Sequence, residues 1–248
     1  MMHSFLLIGQ SNMAGRGFPA DVEPICNKDI FMVRNGRWWP MYVPVNPDRV
    51  TAGINLAESF ADQYARDRGV QVGLIPCADG GTHLDQWRCG GVLFDHACAM
   101  VELANRSSNI AGILWHQGES DCEEDRYPYY EEKLTAIIRG FRKIPCLADV
   151  PFLVGGLGDF LPKCSPGLAN YVHINDALKS IVGKMDNMGF VDAGGLKPNP
   201  DNLHFSAEAL REFGLRYYDV FQTLEDKERV FIEKPDWNFA VRTEMEAL

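Results

Sequence analysis

The chain of 248 residues lacks any apolar stretch close to the length of about 20 residues that a membrane-spanning helix needs. It is also short of positive charge, since 24 lysines and arginines stand against 34 aspartates and glutamates and the net charge is −10. Phosphate contacts need a basic face, so nucleic acids and anionic membranes are poor candidates for its partners. The composition therefore predicts neither kind of partner.

Cysteine pairs with the C-x-x-C spacing are absent, and so are cysteine or histidine pairs with the spacing of zinc ligands. The seven cysteines are odd in number and scattered, which is typical of free thiols in a reducing compartment. The N-terminus lacks the basic region of a signal peptide, and its first apolar run is too short for a signal-peptide core. We therefore expect a cytoplasmic protein with no metal or other cofactor.

Short apolar segments alternate with amphipathic helical segments along the chain. The periodicity predicts strands at 5–8, 70–76, 110–115, 151–154 and 190–192, and helices at 55–68, 95–106, 129–142, 171–185 and 206–224. A further apolar piece at 30–33, followed by Asn35-Gly36, predicts a hairpin or excursion. The alternation predicts an α/β fold with a parallel sheet covered on both faces.

One domain at 1–224 and a C-terminal extension at 225–248 account for the whole chain, because 46% apolar content supports one sizeable core. The extension is rich in charge but contains Phe231, Trp237 and Phe239. These aromatics predict that the extension packs on the domain or on a neighbouring subunit of a homo-oligomer. Packing on its own domain is the favoured alternative.

Ser11 directly follows the first predicted strand, where a side chain projects into the crevice at the carboxyl edge of the sheet. Near the other end of the chain, Asp201 and His204 supply an orienting acid and a base for a serine nucleophile. Gln10 and Asn12 flank the serine and are candidate supporting or substrate-binding residues. Taken singly, Ser11 also fits a helix cap and Asp201 an Asx turn.

Two more polar segments follow predicted strands, at 79–82 and 116–119. Attack on an ester carbonyl creates a negative oxygen, which needs preset N–H donors. The backbone N–H of Ser11, an N–H of Gly80 or Gly81, and the side-chain amide of Gln117 are the predicted donors. The alternative for the two glycines is an ordinary turn.

Five other residues are candidates for supporting the site or binding substrate. Glu119 is predicted to hold the serine loop or the catalytic histidine, with a solvated surface carboxylate as the alternative. His116 fits a substrate contact or a half-buried structural histidine equally well, and His83 fits a pocket wall. Trp87 suits either a sugar-stacking wall or the core, and Arg16 either a substrate oxygen or a surface carboxylate.

Four strings of residues resemble one known group of enzymes. They are GQSNMAG at 9–15, ADGGT at 78–82 with Trp87, WHQGESD at 115–121 and DNLHFS at 201–206. In this order, from residue 4 to about 220, they are similar to the SGNH hydrolase superfamily. The branch is that of the sialate O-acetylesterases and acetylxylan esterases, carbohydrate esterase family six.

The resemblance implies a flavodoxin-like three-layer α/β/α sandwich with a five-stranded parallel sheet, the SGNH hydrolase fold. It also implies metal-free hydrolysis of acetyl esters on sugars, with Ser11 as nucleophile, His204 as base and Asp201 as acid. Many relatives carry a secretion signal and extra domains that are absent from this sequence, which favours imported oligosaccharides over an extracellular polysaccharide. The irregular segments at 41–46 and 160–170 are expected to shape the pocket.

We therefore expect a serine esterase that removes O-acetyl groups from xylo-oligosaccharides or sialic acids through an acetyl-serine intermediate. One alternative is a lipolytic or thioester hydrolase of the same superfamily, which would need a long apolar groove. The other is a non-catalytic carbohydrate-binding protein on the same scaffold. The full set of catalytic residue types argues against this last alternative.

Overall fold

The computed structural model describes residues 1–225 and 229–235, so that Trp237 and Phe239 of the extension lie outside the described residues. The strands of this part of the chain are β1 (Met2–Gly9), β2 (Ile30–Arg34), β3 (Arg37–Pro40), β4 (Gln71–Pro76), β5 (Asn109–His116), β6 (Phe152–Gly155) and β7 (Met188–Val191). Its α-helices are α1 (Ser11–Ala14), α2 (Leu56–Arg68), α3 (Val92–Ala104), α4 (Tyr130–Arg142), α5 (Tyr171–Lys184) and α6 (Ala207–Leu224). None of these helices is long and apolar enough to cross a bilayer.

All seven strands belong to one sheet in the order β3-β2-β4-β1-β5-β6-β7, and every pair except β2–β3 is parallel. Without the β2–β3 hairpin, the remaining order is the 2-1-3-4-5 of flavodoxin-like folds. The expected count of five strands is therefore wrong, because the hairpin extends the sheet beside β4. Asn35 and Gly36 adopt positive φ at its turn, as a two-residue hairpin loop requires.

Helices cover both faces of the sheet, which confirms the predicted three-layer α/β/α architecture. Helices α2 and α6 pack together on one face, whereas α3, α4 and α5 cover the other. Phe5 of β1 packs edge-on against Phe60 of α2 and Phe221 of α6, with ring centroids 4.8 and 5.6 Å apart. A Cβ atom on Gly214 of α6 would lie 2.1 Å from the carbonyl oxygen of Leu56, so only glycine allows this close approach of the two helices.

Side-chain caps define the starts of the two helices that pack together. Asn55 accepts a hydrogen bond from the N–H of Ala57, and the Glu58 carboxylate accepts one from the N–H of Asn55. Ser206 caps α6 in the same way, through a bond from the N–H of Ala209 to its hydroxyl. Side chains of these types are favoured at the first position of a helix, because they satisfy N–H groups that have no partner within it.

The central strand β1 is buried along its whole length and lies between β4 and β5. From β1 the chain first builds the half of the sheet that contains β4, and it then crosses to the other half, which begins with β5. This reversal opens a crevice at the carboxyl ends of these strands. The polar segments that follow β1, β4 and β5 all reach this crevice. The sheet therefore brings the predicted site loops to one edge.

The described part of the extension lies at the opposite edge of the sheet. Phe231 stacks on His3 near the start of β1, with ring centroids 3.8 Å apart. The side chain of Asn109, the first residue of β5, donates to the carbonyl of Ile232 at 2.8 Å and accepts from its N–H at 3.3 Å. Residues 229–235 thus pack against the domain, far from the crevice.

Candidate active site

Ser11 begins α1 after a sharp turn at the end of β1. Gly9 has a φ of 131°, and a Cβ atom there would lie 2.0 Å from the carbonyl oxygen of His116. That carbonyl accepts a hydrogen bond of 2.9 Å from the N–H of Gln10, which fixes the turn to β5. Glycine is therefore required at position 9, and the turn directs the Ser11 side chain into the crevice.

The structure brings Ser11, His204 and Asp201 together. The Ser11 hydroxyl lies 3.0 Å from Nε2 of His204, although 193 positions separate the two residues in the chain. On the other side of the ring, Nδ1 lies 2.7 Å from Oδ2 of Asp201. The arrangement is that of a nucleophile, a base and an orienting acid in line.

Asp201 is held as an anion by its surroundings. Partial burial raises its pKa, but hydrogen bonds from the backbone N–H and the imidazole of His204 and from the N–H of Leu203 lower it by more, and the pKa lies below the usual range for aspartate. An ionised Asp201 favours the tautomer with a proton on Nδ1. Nε2 is then free to accept the proton of Ser11.

Asn12 ties the serine helix to the loop that carries the histidine. Its side-chain oxygen accepts from the N–H of Phe205 at 3.1 Å, and its amide group donates to the carbonyl of Leu203 at 3.3 Å. The same amide group donates to Glu119 at 2.5 Å. The structure thus gives Asn12 a supporting place between the three loops.

Glu119 is buried beneath Ser11 and is not the solvated carboxylate of the alternative interpretation. Burial raises its pKa, but the hydrogen bond from Asn12 and the nearby His116 ring, with Nε2 3.5 Å from Oε1 of Glu119, lower it by more, and the pKa lies below the ordinary glutamate range. His116 itself is fully buried and packs edge-on against Phe205 and Phe213. Of the two alternatives for His116, the structure supports the structural one, and a direct substrate contact is wrong.

Gln117 is also fully buried, and this corrects its expected role. Its amide group faces three acceptors, namely Oδ2 of Asp121 at 2.6 Å, the carbonyl of Thr82 at 3.1 Å and Oε1 of Gln10 at 3.2 Å. Two amide hydrogens are fully used by these acceptors. The amide therefore cannot donate to an oxyanion in this arrangement. Instead, Gln117 joins the loops below the crevice through its hydrogen bonds.

Gln10 also holds the loops below the crevice together. Its side-chain oxygen accepts hydrogen bonds of 3.3 Å from the backbone N–H groups of Gly118 and Ser120, in addition to the bond from Gln117. These contacts join the residue before the nucleophile to the loop after β5. Gln10 is thus a supporting residue that also lines the crevice.

Trp87 and His83 do not line the crevice. Trp87 is fully buried, donates to the hydroxyl of Thr82 at 3.1 Å and packs edge-on against Trp115, so the core alternative holds and the sugar-stacking wall is wrong. His83 starts a short turn of 3₁₀ helix, with Nδ1 3.7 Å from a carboxylate oxygen of Asp85. The expected pocket wall at His83 is therefore wrong as well.

Arg16 reaches the crevice, but its charge is already paired. Its guanidinium donates to both carboxylate oxygens of Asp48, at 3.0 and 2.7 Å, and the two side chains are only 7% and 4% exposed. The second oxygen of Asp48 also accepts the N–H of Gly80 at 2.8 Å. Sequence reasoning missed Asp48, since it lies in an irregular segment with no periodic signal.

The crevice is an open cavity of about 500 Å³. Polar residues and glycines dominate its lining, which consists of Gln10, Ser11, Arg16, Arg49, Gly80, Gly81, Glu119, Ser120, Glu123, Cys164, Ser165, Leu168, Leu203 and His204. Three of these residues come from the irregular segment at 160–170. Within the described residues, no group of three or more histidine, cysteine or acidic side chains could hold a metal ion.

A family model described as carbohydrate esterase, sialic acid-specific acetylesterase, matches residues 1–223. The chain belongs to this family. It is a carbohydrate O-acetylesterase and hydrolyses acetyl esters on carbohydrates.

The esterase is 28% identical over 240 residues to the probable carbohydrate esterase At4g34215 of Arabidopsis thaliana, an alignment that covers 85% of this chain and 86% of the relative. The solved structure of that plant protein superposes with a TM-score of 0.82 at 26% identity, covering 90% of this chain and 99% of the other.

Two further solved structures share the fold. NanS has a TM-score of 0.72 at 16% identity and covers 90% of this chain and 97% of its own. XAC1771, a carbohydrate acetylesterase from Xanthomonas citri, has a TM-score of 0.68 at 18% identity and covers 92% of this chain and 57% of its own.

Proposed function

We propose that this esterase uses Ser11 as a nucleophile and forms an acetyl-serine intermediate. The observation that carries the proposal is the distance of 3.0 Å between the Ser11 hydroxyl and Nε2 of His204, with Asp201 on the far side of the ring. A neutral serine needs such a base within hydrogen-bond reach.

In the first half of the reaction, the Ser11 oxygen attacks the acetyl carbonyl carbon while its proton moves to Nε2 of His204. The tetrahedral intermediate then collapses, the bond from carbon to the sugar oxygen breaks, and the sugar oxygen takes the proton from Nε2. In the second half, a water molecule gives a proton to Nε2 and attacks the acetyl group. Collapse breaks the bond to Ser11, the proton returns to the serine oxygen, and acetate leaves.

The negative oxygen of each tetrahedral intermediate needs N–H donors. Gly80 uses its N–H for Asp48, as described above. The N–H groups of Ser11 and Gly81 have no acceptor in the part of the chain that the structure describes, and both residues line the crevice. We therefore assign the oxyanion to the N–H groups of Ser11 and Gly81.

The charges around the crevice favour a neutral acetylated sugar over a sialic acid. Arg16 is paired with Asp48 and Arg49 with Asp79, each at 2.7 Å. Glu123 adds a further negative charge to the lining. A carboxylate on the sugar would be repelled by these acidic groups. It would also have to compete with Asp48 for Arg16 or with Asp79 for Arg49. Acetylated xylo-oligosaccharides are therefore the expected substrates.

The lining also argues against the lipolytic or thioester alternative. Only two leucines, Leu168 and Leu203, contribute large apolar side chains to it. Long acyl chains need an extended apolar groove to leave water. The short acetyl group does not.

Acetate release from a panel of acetylated xylo-oligosaccharides, O-acetyl sialic acids and nitrophenyl esters of increasing chain length tests the proposal. We expect neutral acetylated sugars and the acetyl ester to be preferred, and Ser11→Ala to lose the activity. Ser180→Ala is the matched control, because Ser180 lies on α5 and bonds only to Glu131 at 3.0 Å. Full activity of Ser11→Ala would contradict the serine mechanism, and a preference for long chains would favour the lipolytic alternative.

A further inference from the structure

Residues 46–49 run beside the loop that follows β4 and hold it through side chains. Asn46 donates to the carbonyl of Ala78 at 2.9 Å and accepts from its N–H at 3.0 Å, as a paired strand would. Asp48 then accepts the N–H of Gly80, and Arg49 donates to the carbonyl of Gly80 at 3.0 Å. Three side chains from one segment thus hold the backbone of 78–80.

Asp48 is the central contact, because it also pairs with Arg16. Arg16 lies just beyond the helix that carries Ser11, so one carboxylate joins the nucleophile segment to the glycine loop. The fit is tight, since a Cβ atom on Gly80 would lie 2.5 Å from the Arg16 guanidinium and 2.8 Å from the Asp48 carboxylate. The same Cβ position is 3.5 Å from Cβ of Ser11, so the glycine backbone lies directly against the nucleophile.

We propose that Asp48 is a positioning residue that sets the distance between the Ser11 nucleophile and the N–H of Gly81. The proposal rests on the serine mechanism above. With its own N–H fixed on Asp48, Gly80 orients the next peptide group, whose N–H has no acceptor in the described chain. Arg16 holds the Asp48 carboxylate in place, because a bidentate pair fixes both distance and direction.

Substitution of Asp48 tests this role. Because a small misplacement of a catalytic donor is costly, we expect Asp48→Ala to lower kcat by about 10–100-fold, with KM changing by less than about threefold. Asp48→Asn keeps an oxygen acceptor for the Gly80 N–H and should lie between Asp48→Ala and the wild type. Asp62→Asn is the matched control, because Asp62 lies on α2, accepts hydrogen bonds from Asn27 and Arg66 and does not line the crevice.

A boronic acid separates positioning from a general loss of structure. Methylboronic acid forms a tetrahedral adduct with a serine oxygen and puts a boron-bound oxygen where the oxyanion would lie. Its inhibition constant should rise in the same order as kcat falls, from wild type to Asp48→Asn to Asp48→Ala. In Gly80→Ala, the added methyl group would clash with the Arg16–Asp48 ion pair. This variant should also lower kcat and weaken boronate binding, and it tests the proposal even where Asp48→Ala fails to fold.

Three results would overturn the role of Asp48. They are a kcat within about threefold of wild type in Asp48→Ala, an equal loss in the Asn and Ala variants, and a loss of kcat with unchanged boronate affinity. A wild-type enzyme that releases acetate but does not bind the boronate at Ser11 would instead contradict the serine mechanism itself. The two failures are therefore distinguishable.

Discussion

Two layers of polar residues meet at the carboxyl edge of the sheet, and they differ in exposure and in the number of hydrogen bonds that their side chains make to neighbouring loops. In the upper layer, the His204 and Asp201 side chains are 18% and 48% exposed and make few contacts beyond each other and Ser11. In the lower layer, Gln117 and Glu119 are buried and bonded to neighbouring loops. In the proposed mechanism the upper layer transfers the proton, whereas the lower layer fixes the loops that carry the upper layer.

The difference predicts two kinds of mutant. Loss of an exposed group removes chemistry with little change in stability, because water can replace its contacts. Loss of a buried bonded group leaves its partners unsatisfied and lowers the free energy of unfolding. Variants in the two layers therefore test whether the layers differ in this way.

The largest effect is expected from His204→Ala. Without the base, kcat should fall by roughly 10⁴–10⁶-fold, and the unfolding midpoint should stay close to that of the wild type. Steady-state acetate release and thermal unfolding measure the two quantities, with His96→Ala on the exposed side of α3 as the control. A kcat within about tenfold of wild type would remove His204 from the mechanism.

Asp201→Asn should cost less, roughly 10²–10⁴-fold in kcat, because the base remains but its tautomer is no longer fixed. Steady-state acetate release at neutral pH, where the lowered pKa of Asp201 keeps its carboxylate ionised, measures the loss. A kcat within about threefold of wild type would contradict the orienting role of Asp201.

Gln117→Ala tests the lower layer. We expect the free energy of unfolding to fall by about 2–4 kcal/mol, because the Asp121 carboxylate and two other acceptors lose a buried donor. Urea denaturation measures the loss, and Gln63→Ala on α2 is the control, since Gln63 bonds only to Asp67 at the surface. Unchanged stability with a fall in kcat of roughly 10²–10³-fold would restore Gln117 as an oxyanion donor.

The smallest effect is expected at the opposite edge of the sheet, where His3 is buried and takes no part in catalysis. Burial, the N-terminal charge, Arg229 and Arg68 lower its pKa from 6.5 to about 4. Between these values the unfolded chain binds a proton that the folded chain does not. Stability should therefore fall by up to about 3 kcal/mol as the pH drops from 6.5 to 4.

Urea denaturation of the wild type and His3→Asn across this pH range measures that contribution. The variant lacks the titrating ring, so its stability should depend less on pH. The hydrogen bond of 2.7 Å from His3 to the hydroxyl of Tyr64 is lost at every pH and shifts the whole curve without changing its slope. If the free energy of unfolding depended on pH in the same way in both proteins, the lowered pKa of His3 would be contradicted.

Most of the fold could be predicted because strands and helices depend on local patterns. Apolar runs and helical periodicity mark these elements, and their ends drew attention to Ser11 and His204, which the structure places 3.0 Å apart. The β2–β3 hairpin was visible as a turn at Asn35 and Gly36, but the turn does not say that β2 pairs with β4 and enlarges the sheet.

The lower layer was harder, because residue type and position do not give side-chain direction. Gln117 follows a buried strand and was expected to donate to the oxyanion, yet its amide turns toward Asp121 and away from the crevice. Trp87 likewise turns into the core. Asp48 carries no local signal, and only the folded chain brings it to Arg16 and Gly80.

The most direct test of the serine mechanism is the mass of the enzyme during turnover. Nitrophenyl acetate has an activated leaving group, so acylation is fast, deacylation limits the rate and the acyl-enzyme accumulates. After rapid acid quenching and digestion, the peptide that contains Ser11 should carry one added acetyl group on that serine, and the Ser11→Ala enzyme should carry none. An enzyme that turns over at its full rate with no acetyl group on Ser11, or with the group on another residue, would contradict the account.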